Sequence, residues 1–280
     1  MYKIFIDTNI FLDFYRINKN DEIKKVLNEI KKYKMFFINT EQSIDEFLRN
    51  RERAINNFVT DLRKQNYSIF NNNFIATLES YDDYFKSVKK ANDATKNIIK
   101  ECVALIEDNN KDIIYKTYFS IFNIKKSYKR TDSIIDKAIK RKYIGNPPTS
   151  NGKTTCCDEI IWETLLENCS EDLVIVSRDE TFNDNYNFLK KEYLEKNQKQ
   201  LVVVSTISEA IELNGKFPIK ILENLENDIV VENDITNYGY IKDKSNWVSI
   251  IYNALLTLGG EAELKDIYNE SINIVSKKYP

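Results

Sequence analysis

The chain has 280 residues, enough for one sizeable core and a smaller appendage, with 30% charged residues and a formal net charge of −2. It contains no histidine, which excludes Ser-His-Asp and Cys-His catalysis and any hydrolysis that uses an imidazole as general acid or base. Its four cysteines, Cys102, Cys156, Cys157 and Cys169, have neither C-x-x-C spacing nor the density of a disulfide scaffold. They offer no zinc site, so hydrolytic chemistry falls to carboxylates and a hard divalent ion such as Mg²⁺ or Mn²⁺. No apolar run approaches the length of a bilayer span, and Asp7 and Asp13 interrupt the first apolar stretch. A reduced, cytoplasmic protein without a membrane segment is expected.

Ile4-Phe5-Ile6 reads as a buried strand that runs into the polar Asp7-Thr8-Asn9. Asp21–Tyr33 is an amphipathic helix and Met35–Ile38 a second buried strand. Thr40 is the N-cap of a long helix to about Gln65, with Ile44, Phe47, Leu48, Ile55, Phe58 and Leu62 on its apolar stripe. Residues 74–142 are mostly helical and form an insertion that grows basic towards its end. The run 143–153, with two prolines and two glycines, is a loop. Then follow a helix over Cys156–Cys169, a strand over Leu173–Val176, a helix over Phe182–Lys196, a strand over Leu201–Val204 and a helix over Ser208–Leu213. Strands that are apolar throughout and alternate with helices predict an α/β fold: a parallel sheet flanked by helices. Residues 1–215 form this domain, 216–244 an acidic linker, and 245–280 a small all-helical segment built as two helices about Gly259-Gly260.

In an open parallel sheet, sites form at the carboxyl ends of the strands. Asp7 ends the first strand, and Asp179 ends the strand at 173–176. Glu46 and Asp158 lie on helices that follow the second strand and the 143–153 loop. Four acids from four stretches can meet in one cleft. Each also has an ordinary role: Asp7 and Asp179 as caps or turn residues, Asp158 in a Thr155-x-x-Asp158 capping box, Glu46 in a pair with Arg49 or Asn50. Glu41 and Asp45 compete for the place of Glu46.

In this order, Asp7-Thr8-Asn9, Glu46-Phe47, Asp158-Glu159-Ile160-Ile161 and Ser177-Arg178-Asp179-Glu180-Thr181-Phe182 resemble the motifs of a PIN-domain nuclease. The resemblance spans residues 1 to about 213, with 74–142 as an enlarged insertion. It implies a metal-dependent phosphodiester hydrolase, with Asp7, Glu46, Asp158 and Asp179 as catalytic ligands of one or two Mg²⁺ or Mn²⁺ ions. Thr8, Asn9 and Ser177 would orient those carboxylates or a water. Single-stranded RNA is favoured over DNA as substrate, on the resemblance alone. The length of the insertion suggests added control, as in a stress-response or anti-phage defence system. A PIN-like scaffold that binds nucleic acid or protein without cutting is the alternative. Phosphatases of the haloacid dehalogenase type need D-x-D, and position 9 is Asn.

Charge is segregated along the chain. Residues 123–153 carry nine Lys and Arg against two Asp, and residues 223–243 carry six acids against one Lys. A basic arm beside a carboxylate site suits a polyanion, so Arg49, Arg53, Arg141, Lys142 and Lys153 are candidates for substrate phosphate. The 245–280 segment resembles part of a winged helix. Its charge is mixed, which favours docking to a protein partner or a second copy over reading DNA.

Overall fold

The computed structural model describes residues 1–16, 20–70, 72–149, 154–237, 247–263, 265–267 and 269–271. Elements run in the order β1 (Lys3–Ile6), α1 (Thr8–Asp13), α2 (Asn20–Lys32), β2 (Phe37–Ile38), α3 (Glu41–Lys64), α4 (Tyr81–Glu107), α5 (Ile113–Ile121), α6 (Asp132–Ile144) and α7 (Cys157–Asn168). They continue with β3 (Leu173–Val176), α8 (Glu180–Asn183), α9 (Tyr186–Asn197), β4 (Leu201–Val204), α10 (Ile207–Glu212), α11 (Lys220–Asn237) and α12 (Trp247–Thr257). The chain divides into two compact units, 1–223 and 224–280.

All four strands of the first unit are parallel, in the order β2-β1-β3-β4. This is the α/β architecture expected from the alternation of apolar strands and helices. Ile4, Phe5 and Ile6 of β1 and all of β3 are buried because helices cover both faces of the sheet. On one face, Phe5, Leu173, Ile175 and Leu201 pack with Trp162 and Leu165 of α7, Phe182 of α8, and Leu189 and Tyr193 of α9. Trp162 is fully buried, and its indole N–H donates to Glu192 at 2.8 Å.

Thr40 caps α3 as expected: its hydroxyl accepts from the Ser43 N–H at 3.1 Å and the Ser43 hydroxyl returns the contact. Several expectations need correction. The second strand shrinks to Phe37–Ile38, because Met35 is exposed and the Phe36 N–H closes a turn onto Tyr33 O. Leu48 leaves the apolar stripe and is exposed. The helix expected over Phe182–Lys196 is two, α8 and α9, and the first ends at Asn183. Within the expected linker 216–244, residues Lys220–Asn237 form helix α11. Leu222, Leu225 and Ile229 are buried there at i, i+3 and i+7, and glutamate is a good helix former. Residues 238–244 lie outside the described residues.

In the insertion, Arg51 and Asp112 form a buried pair, Nε to Oδ2 at 2.8 Å, with Tyr15 donating to the same oxygen at 2.5 Å. Arg51 also donates to Leu105 O at 2.6 Å, which joins α3 to the end of α4. Asp112 further caps α5 by accepting from the Ile114 and Tyr115 N–H groups. In the second unit, α12 is followed by a turn at Gly259 and Gly260, both with positive φ, and by helical residues at 265–267 and 269–271. Nothing described there supplies a wing, and 272–280 lie outside the described residues. No described helix is long and apolar enough to cross a membrane.

Removing one partner of a buried ion pair leaves the other charge uncompensated. Asp112→Ala should therefore lower stability to urea by about 3–5 kcal/mol. A loss below about 1 kcal/mol would show that the Arg51 pair does not hold the insertion.

Candidate active site

β1 leads through α1 and α2 to β2 on one side, whereas β3 leads through α8 and α9 to β4 on the other. Strand order thus reverses between β1 and β3, and a crevice opens at the carboxyl ends of such a pair. Asp7 and Ser177 are the residues that leave these two strands, and the Asp7 N–H donates to Val176 O at 2.9 Å. The pairing places the two loops side by side.

Ser177 is fully buried, and its hydroxyl donates to Asp7 Oδ2 at 2.8 Å while accepting from the Asp179 N–H at 3.1 Å. One hydroxyl therefore links the Asp7 carboxylate to the backbone of Asp179. Asp7 is the N-cap of α1, accepting from the Asn9 N–H at 3.4 Å, and Asp179 the N-cap of α8, accepting from Thr181 at 2.9 Å. The ordinary capping role is real at both residues, and it fixes each carboxylate at its strand end.

Asp158 sits in the first turn of α7, whose N-cap is Cys156. Thr155 is one residue short of the position a capping box requires. Burial pushes the Asp7 carboxyl up to about 6, against the Ser177 hydrogen bond that favours its anion. The negative charges of Asp158 and Asp179 push it in the same direction as burial. Asp7, Asp158 and Asp179 thus share one electrostatic environment.

Glu46 lies one turn beyond Ser43 on α3, and the Thr8 hydroxyl donates to Ser43 O at 3.4 Å. Its charge acts on Tyr118, which stacks on Phe47 with ring centroids 3.9 Å apart. The rivals are occupied elsewhere: Glu41 pairs with Lys129 at 2.5 Å, and Asp45 pairs with Arg130.

As donors, these residues fit a hard divalent ion: they are all oxygen ligands, and they concentrate negative charge around a half-buried carboxylate. Among the described residues, however, no three acids or cysteines are already gathered into a metal-binding group.

A protein-family profile described as PIN domain matches residues 4–182, a stretch that contains all four acids. The chain belongs to the PIN domain family. No curated protein and no solved structure matches it. The family is one of nuclease-type hydrolases that act on nucleic acid and generally depend on a divalent metal.

Around this PIN domain the expected basic arm is largely neutralised. Arg141 is buried: it donates to Glu163 at 2.7 Å, to Pro147 O at 2.6 Å, and through both terminal nitrogens to Glu192. Every guanidinium nitrogen is taken, so Arg141 is a structural clamp between α6, α7 and α9 and not a phosphate ligand. Lys142 donates to Thr155 O and lies 3.7 Å from Glu159. Lys137 pairs with Glu167 at 2.9 Å. Lys153 lies outside the described residues. Arg49 and Arg53 are exposed, and no ion pair among the described residues includes them.

One charged contact escaped the sequence reading. Asp13, buried at the end of α1, pairs with Arg178 from the loop between Ser177 and Asp179. Arg178 also donates to Ser205 O at 3.4 Å and so ties that loop to α1 and to the end of β4. The only signal in the sequence is the position of Arg178 inside the Ser-x-Asp motif.

The raised Asp7 pKa has a consequence for stability. The folded protein holds this proton more tightly than the unfolded chain, so stability falls as pH rises from about 4 to about 6. In metal-free buffer at pH 7, Asp7→Asn should be more stable than wild type by about 1–2 kcal/mol, a partial exposure discount included. The gap should close at pH 4 and below. A variant that is less stable at pH 7 would contradict a strained Asp7 anion.

Proposed function

We propose that this PIN domain is a divalent-metal-dependent endonuclease that hydrolyses phosphodiester bonds in single-stranded RNA. The observation that carries the reading is Asp7 at the β1/β3 reversal, with Asp158 and Asp179 acting on it. Asp7, Asp158, Asp179 and Glu46 would hold one or two Mg²⁺ or Mn²⁺ ions, with Glu46 contributed from the first turns of α3. When bound, such an ion supplies an activated water and neutralises charge on the scissile phosphate.

The chain's own residues prepare the cleft for it. Ser177 holds Asp7 Oδ2 in place and orients the Asp179 backbone. Thr8 anchors α1 to the turn of α3 that leads to Glu46, and Asn9 offers its backbone N–H to Asp7 Oδ1. Arg49 and Arg53, exposed on α3 after Glu46, would meet substrate phosphate.

The preference for RNA rests on the family resemblance. We assign the protein to the cytoplasm and, given its long insertion, to a controlled role in stress response or anti-phage defence. The 245–280 segment is then the surface for a protein partner or for self-association. A second reading, a PIN scaffold that binds without cutting, draws on the lack of a gathered three-ligand group among the described residues.

Cleavage of labelled single-stranded RNA and DNA, each with Mn²⁺, Mg²⁺ or EDTA, separates the two. The nuclease reading expects metal-dependent cutting, RNA before DNA, reduced about 100-fold or more by Asp7→Asn and by Glu46→Gln while binding persists. Binding without cutting under every metal condition would support the scaffold. Full cutting by both variants would place the site elsewhere.

A further inference from the structure

β4 is an outer strand of the sheet and pairs with β3 on one side. The Leu173 N–H donates to Gln200 O at 2.9 Å, and the Ser177 N–H donates to Val204 O at 3.0 Å. Backbone groups of alternate residues face the same neighbour in a ladder, so Gln200, Val202 and Val204 turn theirs to β3. Leu201, Val203 and Ser205 therefore turn theirs outward, away from the sheet.

Half of that outward row is already partnered. Leu201 O accepts from the Tyr186 hydroxyl at 3.2 Å. The Ser205 N–H donates to Glu209 at 3.1 Å, and Ser205 O accepts from Arg178 at 3.4 Å. Among the described residues nothing meets the Leu201 N–H, the Val203 N–H or Val203 O. Val202, Val203 and Val204 are only partly buried, and they line a hollow of about 590 Å³ with Ser205, Glu209, Glu212 and Leu213. β4 itself has neither a proline nor a charged residue, the devices that keep an outer strand from pairing with another chain.

The open groups are self-complementary. Antiparallel pairing about a two-fold axis at Val203 sets Val203 against Val203 of a second copy, and Leu201 against Ser205. Val203 then exchanges both of its open groups with its own counterpart, as in the closely bonded pair of an antiparallel ladder. The open Leu201 N–H meets Ser205 O, a carbonyl with a second lone pair to offer beside Arg178. These bonds displace no contact already made. On the other face of the ladder, Val202 lies across from Val204 as an apolar cross-strand pair.

Charge agrees with that order. Lys199 precedes β4, and Glu212 lines the hollow beyond its far end. Both are exposed, and no ion pair among the described residues includes either. Antiparallel order brings the Lys199 end of each copy to the Glu212 end of the other. A strand from another protein would find the same backbone groups, but it would need opposite charges of its own in the same order.

We propose that the β4 edge is a docking surface for a second copy of this chain, with two β4 strands paired antiparallel about Val203 so that the two sheets become one. This goes beyond the nuclease reading and does not rest on it. Strand polarity reverses across such a join, so the crevices at the carboxyl ends of β1 and β3 open at opposite ends of the joined sheet. Each copy then handles its own substrate.

Sedimentation equilibrium of the full chain in EDTA, over a series of concentrations, reads the association directly. Wild type should form a dimer. Val203→Pro removes the central N–H and sets a ring in the path of the incoming strand, and an outer strand tolerates proline where the N–H faces solvent. It should raise the dissociation constant about tenfold or more. Lys199→Glu and Glu212→Lys each set like charges together at both ends of the pairing, and each should raise it roughly three- to tenfold. The double variant Lys199→Glu/Glu212→Lys restores opposite charges in reversed order and should return to wild-type association. Circular dichroism verifies folding, and the two exposed charge positions carry the test should the proline disturb the strand.

A wild type that stays monomeric at every concentration would overturn the proposal. So would a dimer untouched by Val203→Pro and by both single charge reversals, which would place self-association elsewhere, as in 245–280. A double variant that associates more weakly than either single one would overturn the antiparallel order about Val203, and the proposal with it.

Discussion

β1 and β3 pair in parallel although 170 residues separate Asp7 from Ser177, the residues that end them. Because neighbouring connections leave this pair in opposite directions, the two strand-end loops cannot be covered by a shared helix. Two acids, Asp7 and Asp179, are thereby delivered to one crevice, and Ser177 joins them through a single buried hydroxyl. Around that link, α7 contributes Asp158, while Thr8 fastens the start of α1 to α3. The pairing also sets the electrostatic tension of the site, since burial and neighbouring acids both disfavour the Asp7 anion. A cation bound there would relieve this tension, which is the physical ground for proposing a metal site in the crevice.

Charge along the chain gave a poor guide to charge in space. The richest basic run folds back onto acids of α3, α7 and α9, and Arg141 and Lys137 end in ion pairs there. Such a run stabilises the packing of the insertion on the sheet domain. On α4, Lys86, Lys89 and Lys90 are exposed and belong to no ion pair among the described residues. An unpaired cation is worth more to a polyanionic ligand than a longer run already neutralised by the protein.

Strand and helix periodicity made most of the sheet domain legible. Strands β1, β3 and β4, the Thr40 cap and the length of α3 followed from apolar runs and local polar chemistry. Phe37–Ile38 was overextended because an apolar Met35 reads as buried whether or not a neighbour covers it. Helix α11 was hidden by its acids, although Leu222, Leu225 and Ile229 carry a helical period. For the site, the motifs lie where the elements put them, with Asp7 and Asp179 just past the ends of β1 and β3 and Asp158 in the first turn of α7. What no local pattern could show was the pairing of Asp13 with Arg178, or of Arg51 with Asp112, because each joins residues 61 or more positions apart.

The central claim is that carboxylates from separate elements act as one cation site, and metal-dependent thermal stabilisation tests it without reliance on a substrate. Unfolding midpoints would be followed in Mn²⁺ titrations at pH 7 for wild type, Asp158→Asn and Asp179→Asn. The account predicts that Mn²⁺ raises the wild-type midpoint and that each variant loses most of the rise, because each removes a ligand from a shared shell. A rise of equal size in all three proteins, or none in wild type, would contradict it.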